Sequence, residues 1–153
     1  MPDAVVLRKN LARTLRDGHP WIFRDALEEP PALPHGALVD VLGRDGKRLA
    51  TGWWDAASPI AVRVLGTEAP ADLDAELRSR IASALERRRK LFDPALTTAF
   101  RWIHGEADRL PGVHVDLYGD VAVVRYDGDG ARAFYRDLPA RLARARGRAA
   151  VFG

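Results

Sequence analysis

Cysteine is absent, and its absence removes several chemistries at once. Without a thiol these 153 residues form no disulfide, offer no thiolate to a metal and supply no cysteine nucleophile. Histidine is scarce. The four present, His19, His35, His104 and His114, show no HExxH-like spacing, so no metal site is expected. No apolar run approaches the roughly 20 residues that span a bilayer. The opening Met1-Pro-Asp-Ala-Val-Val-Leu-Arg8 lacks the basic-then-apolar plan of a secretion signal. A cytoplasmic protein with no membrane partner is the expectation. Gly128-Asp-Gly130 is too short for a phosphate or dinucleotide fingerprint, and no serine sits in an elbow motif. No catalytic or cofactor-binding residue can be named.

What is present is the composition of a folded chain, 47% hydrophobic and 29% charged. The net charge is only +3 but unevenly spread. Residues 8–24 hold Arg8, Lys9, Arg13, Arg16 and Arg24 against Asp17 alone. A second basic block contains Arg78, Arg80 and Arg87 to Lys90, and a third runs from Arg136 to Arg148. Between the last two lies an acidic segment with Glu106, Asp108, Asp116, Asp120, Asp127 and Asp129. The cations are mostly arginine, whose planar fork suits phosphates and stacked bases.

Periodicity divides the chain. Val5–Leu7 reads as a short strand, Leu11–Leu15 as a helical turn ended by Asp17-Gly18, and Pro20–Phe23 as extended. Strands follow at Ala37–Leu42, Arg48–Trp54 and Ile60–Leu65, the first two joined through Asp45-Gly46, a favoured hairpin dipeptide. Apolar residues at helical spacing predict a helix over Asp72–Phe92, acidic at its start and basic at its end. Two strands, Arg101–His104 and Val113–Tyr118, flank a polar turn. In the second, Val113, Val115 and Leu117 share one face and His114, Asp116 and Tyr118 the other. A strand at Val121–Tyr126 and a helix from Ala131, interrupted near Asp137 by Pro139, lead to a strand start at Arg148–Phe152. The expected class is α+β: a small, mostly β domain with one short helix over 1–70, a connecting helix over 71–95, and an incomplete mixed α/β domain over 96–153.

Candidate binding residues come from the first basic block. Arg13 and Arg16 on a short helix, beside the Gly18 turn and flanked by Lys9 and Arg24, have the chemistry to neutralise phosphates. His19 can stack on a base or bond to it. A solvated face is the alternative for these cations. Trp21 and Phe23 are expected in the core. Trp53 and Trp54 alternate, so one ring is expected inside and the other outside, as a packing surface or a stacking platform. Arg87–Lys90 reads as a solvated helix end, with RNA contact as the other option. Glu106, Asp108 and Asp116 are expected to brace their turn or pair with Arg101 or Arg109.

The order of segments carries a resemblance. Leu15-Arg-Asp-Gly-His-Pro-Trp-Ile-Phe23, Gly36-Ala-Leu-Val-Asp-Val41, Asp45-Gly46 with Ala50-Thr-Gly-Trp-Trp54, and Ser58-Pro-Ile-Ala-Val-Arg-Val-Leu65 resemble a PUA domain. His104-Gly-Glu-Ala-Asp-Arg-Leu-Pro-Gly112 followed by Val115-Asp-Leu-Tyr-Gly119 is similar to the central-domain signature of the bacterial ribosomal RNA large-subunit methyltransferase I family. That family implies S-adenosylmethionine-dependent methylation of a cytidine C5 in 23S rRNA, through a Rossmann-like domain with a glycine-rich loop, an Asp-Pro-Pro-type motif and a cysteine nucleophile. None of these is present. The resemblance therefore implies a truncated, RNA-targeting portion, inactive alone, whose partners are ribosomal RNA and the missing catalytic domain. No cofactor is expected in this chain. The alternatives are a free-standing RNA-binding or ribosome-associated protein, and a scaffold that dimerises through an open strand edge.

Overall fold

The computed structural model describes residues 2–29, 31–147 and 150–152. The chain packs as two units, Met1–Ala69 with Gly128–Phe134, and Pro70–Asp127 with Tyr135–Gly153. The class is mixed α/β with two sheets, as the sequence predicts.

In the first unit, β1 (Asp3–Val6), β2 (Trp21–Phe23), β3 (Leu38–Leu42), β4 (Arg48–Trp54) and β5 (Ile60–Gly66) form one sheet in the order β1-β3-β4-β5-β2. The β1–β3 pair is parallel and the others are antiparallel. The two edges approach each other through main-chain bonds: Arg8 N–H donates to the Ala26 carbonyl at 2.9 Å and Glu28 N–H to Val6 at 2.8 Å. An open sheet thus becomes a pseudo-barrel, which satisfies edge groups that would otherwise invite pairing with another chain. One face is the core, with Val39, Val41, Trp54 and Val62 packed on Leu7, Leu15 and Ile22.

The other face carries a row across three strands. Trp53 of β4 and Trp21 of β2 both lie opposite Arg63 of β5. The Arg63 guanidinium lies 5.8 Å from the Trp21 ring centre and 5.9 Å from that of Trp53. Arg63 is 8% exposed, which suits a weakly hydrated guanidinium between ring faces. Phe134, from the short helix α3 (Asp129–Phe134), stacks on Trp53 at 5.8 Å. Trp53 is consequently buried, at 0% exposure, while Trp54 is buried in the core on the opposite face, at 1%. The ring expected outside is covered by packing, not open as a platform.

Asp55 fastens the same segment. Its buried carboxylate accepts from the N–H groups of Ala57 (3.0 Å), Ser58 (2.9 Å) and Gly130 (3.1 Å). Burial alone would raise its pKa, but these bonds and nearby His35 outweigh that and hold it below the usual carboxylate value. A Cβ at residue 130 would stand 2.6 Å from an Asp55 oxygen, so only glycine fits there.

In the second unit, β6 (Ala99–His104), β7 (Val113–Tyr118), β8 (Val121–Tyr126) and β9 (Ala150–Phe152) form a sheet in that order, with β9 parallel to β8. Helix α2 (Leu73–Leu91) starts at Asp72, whose side chain caps the Ala75 N–H at 3.0 Å. It stops before Asp93-Pro94, where the residue preceding proline avoids helical geometry. Leu77, Ile81, Ala84 and Leu85 are its buried positions, and the Trp102 indole donates to the Ile81 carbonyl at 3.1 Å. Helix α4 (Leu138–Arg146) restarts after Asp137 with proline in its first turn, where the missing N–H costs nothing. Val113, Val115 and Leu117 are buried on one face of β7, as alternation requires.

Asp108 joins α2 to the β6–β7 turn. Arg88 donates to both its oxygens at 3.0 and 2.8 Å, Arg87 at 2.5 Å, and the His104 N–H at 2.7 Å. The Arg88 Nε also donates to the Arg101 carbonyl at 3.2 Å. Arg87 and Arg88 are therefore not a solvated helix end. A second tie is Arg80, 8% exposed, which donates to Glu76 at 2.8 Å and to the Arg109 carbonyl at 2.7 Å. Arg109 adopts a left-handed φ of 59° that turns its carbonyl towards α2.

Burial pushes the Asp108 pKa up, yet the bonds from Arg88, Arg87 and His104 bring it below the ordinary value. A lowered folded pKa gives stability that is fully present above the unfolded value near 4 and lost as pH falls through the folded one. Asp108→Ala should cost about 3–5 kcal/mol at neutral pH, since it leaves the largely buried Arg88 guanidinium without its anion. Urea unfolding should also show a shallower acid limb in the variant than in the parent chain.

Candidate nucleic-acid interface

The first basic block folds around a short helix. The Asn10 side chain accepts from the Ala12 N–H at 3.2 Å and starts α1 (Ala12–Arg16). Leu15 is buried and turns this helix onto the barrel. The chain leaves through Gly18, whose φ of 92° only glycine takes without strain. Pro20 then feeds β2 along β5, its carbonyl accepting from Val64 N–H at 2.8 Å.

A groove of about 650 Å³ runs along the β2 edge, walled by Lys9, Thr14, His19, Trp21, Phe23 and Arg24 among others. Three of the five expected binding residues, Lys9, His19 and Arg24, thus meet around one concavity. Arg13 and Arg16 lie on α1 outside the groove wall and are exposed. Arg13 is 90% exposed with Asp17 at 3.6 Å, and Lys9 is 3.1 Å from an exposed Asp25. Such surface pairs contribute little and are readily exchanged for a ligand anion. His19 lies edge-on to Trp21 at 6.2 Å.

Arg24 has a different position. Its Nε and Nη2 donate to the Ser58 carbonyl at 3.2 and 2.9 Å, Nη2 also to that of Asp55 at 2.5 Å, and the guanidinium lies 4.9 Å from the Trp54 ring centre. These bonds hold the β4–β5 turn in place. Phe23 is also not where the sequence expected it. Ile22 is fully buried, whereas Trp21 is half-buried and Phe23 is 45% exposed on the opposite face. The core takes the middle residue of Trp-Ile-Phe, so alternation was correct and its phase was wrong.

A second, smaller hollow of about 360 Å³ lies beside the first, with Arg8, Lys9 and Arg44 among its walls. Arg44 belongs to the tip of the β3–β4 hairpin, which the sequence reads only as a turn. Its charge next to Arg8 depends on the parallel β1–β3 pairing, which no local pattern announces.

In the second unit Asp108 and Asp116 are paired with arginines. Arg101 donates to both Asp116 oxygens, at 2.7 and 3.1 Å. That pairing lowers the pKa of Asp116 and raises that of Arg101. His114 stands edge-on to His104 at 5.3 Å and 3.5 Å from Asp127. Burial lowers its pKa, against the pull of Asp127 and with the nearby Arg125 and Arg101 cations. These acids brace the β6–β7 region, as expected, though Asp108 does so through Arg87 and Arg88.

Residues 5–67 match the family model for a PUA-like domain. Over 127 residues the chain is 39% identical to "Ribosomal RNA large subunit methyltransferase I" of Alteromonas mediterranea, covering 82% of this chain and 32% of that protein. It is 36% identical over 141 residues to the protein of the same name from Aeromonas hydrophila, covering 90% of this chain and 35% of that one. Over most of its own length the chain is similar to ribosomal RNA large-subunit methyltransferase I proteins. It spans about a third of the length of the curated relatives it matches. Among solved structures, a proposed SAM-dependent methyltransferase from Streptococcus mutans superposes with a TM-score of 0.74 at 14% identity, over 94% of this chain and 37% of that one. Another proposed methyltransferase, solved with SAH, gives 0.71 at 16% identity, over 94% of this chain and 36% of its own. At these identities the likeness concerns the fold.

Arg24→Ala should destabilise the chain by about 1.5–3 kcal/mol, because it strands two carbonyl acceptors of a charged donor. Arg13→Ala and Arg16→Ala should each stay within about 0.5 kcal/mol of the parent. Chemical denaturation at neutral pH separates the two classes.

Proposed function

We propose that this chain is the RNA-binding, substrate-targeting portion of a SAM-dependent rRNA (cytosine-C5) methyltransferase and is inactive by itself. The observation that carries the reading is that the PUA-like unit presents Lys9, Arg13, Arg16 and His19, all exposed, in and beside a single groove. Phosphates neutralised by these cations release condensed counterions, so electrostatic attraction supplies sequence-independent affinity. Arg24 acts from the groove wall by keeping Pro59 and the β4–β5 turn in position. Its charge adds to the local positive field. Methyl transfer and S-adenosylmethionine belong to a catalytic domain outside these residues, since the chemistry at C5 needs a thiolate that they lack.

RNA affinity measured by fluorescence anisotropy should fall steeply as salt rises. The double variant Arg13→Ala/Arg16→Ala should bind weakly and show a log–log salt slope shallower by about one to two. Salt-independent affinity, or an unchanged slope in that variant, would remove the reading. Incubation of this chain with rRNA and labelled S-adenosylmethionine should give no incorporation, and incorporation above background would show that it is not merely a targeting portion.

A further inference from the structure

We infer that the groove along β2 is a base site. It takes the flat ring of an unpaired nucleotide against Phe23 and Trp21, while Lys9 and α1 hold the flanking phosphates. This deepens the RNA-binding reading and rests on it.

Phe23 is 45% exposed, the one large hydrophobic side chain of the first unit, among the described residues, left open to that degree. Ile22 before it is anchored in the core at 0% exposure, and the β2–β5 register slips between Ile22 and Phe23. Trp21 is held from behind by Arg63 at 5.8 Å, with His19 against its edge at 6.2 Å. Pro59 and Lys9 also line the groove. The result is an apolar slot with a cationic rim.

That combination selects its occupant. An aromatic body is drawn by ring stacking, which is tolerant of base identity because every base has a π-face. An anionic tether is drawn by Lys9, whose present partner is an exposed carboxylate, and by Arg13 and Arg16. A nucleobase attached to its backbone supplies both. A base inside a duplex does not, because its faces are already stacked, and only unpaired nucleotides can be splayed onto aromatic side chains. The volume of about 650 Å³ lies within the range of small-ligand sites.

The test uses the full 153-residue chain and two fluorescent probes, a short unstructured RNA and the same sequence annealed into a blunt duplex. Phe23→Ala should weaken single-strand binding by roughly 5- to 100-fold, the loss that removal of a stacking partner brings. It should leave duplex binding and the salt slope nearly unchanged. Phe23→Trp should restore single-strand affinity, and Phe23→Leu, equally apolar but without a ring face, should not. A 2-aminopurine in the single strand should be quenched on binding to the parent chain and not to Phe23→Ala. Circular dichroism of the variants checks the fold. If both probes bind with steep salt dependence but Phe23→Ala weakens them equally or not at all, the base site is wrong and phosphate binding stands. If neither probe binds in a salt-dependent way, both readings fall. Rescue by Phe23→Leu would mean apolar packing in place of stacking, and would also overturn the base site.

Discussion

Arg63, 8% exposed and held between the rings of Trp21 and Trp53, fixes what the first unit can offer a ligand. A buried guanidinium is tolerated only where ring faces and polar partners replace its water. The row it occupies spans three strands, so moving it would disturb the register of β2 on β5 and of β4 on β5 together. Trp21 stands as a groove wall because Arg63 backs it, and Trp53 is buried because Phe134 covers its other side. The groove at the β2 edge therefore has one wall, Trp21, that is set by a cross-strand neighbour.

Arginine is abundant in this chain, but the structure divides the arginines by use. Arg24, Arg63, Arg80, Arg88 and Arg101 each hold a carbonyl, a carboxylate or a ring within their own unit. Arg8, Arg13, Arg16 and Arg44 are exposed. The planar fork that recommends arginine for phosphate also makes it the best clamp for main-chain carbonyls and buried carboxylates. A count of basic residues therefore overstates the cationic surface that the folded unit presents.

Much of the fold was legible because it rests on local periodicity. The strands β3, β4, β5, β7 and β8 and the helix α2 appear within a residue or two of their expected limits, each with alternation or helical spacing and a clear stop signal. The restart after Asp137 followed from proline geometry. Less was legible wherever a residue's fate depends on a distant partner. Nothing beside Phe23 shows that Ile22 will take the core. Nothing beside Arg24 reveals that carbonyls some thirty residues later will claim its guanidinium. Arg87 and Arg88 look like any basic helix terminus until Asp108, some twenty residues on, is placed against them. Of the expected binding residues, the sequence could supply the chemistry but not the groove that gathers Lys9 and His19, nor the exposed ring beside them.

The segment Gly128–Phe134 has a consequence for how this protein can be divided. The region recognisable as PUA-like closes at residue 67, yet the unit it belongs to includes a piece of chain sixty residues further on. A fragment cut at the recognisable boundary would uncover the Trp53 ring and take from Asp55 the Gly130 amide that helps keep it ionised in the interior. Such a fragment would carry a sticky aromatic face and a poorly solvated charge where the intact chain has neither. The compact unit is thus discontinuous in sequence.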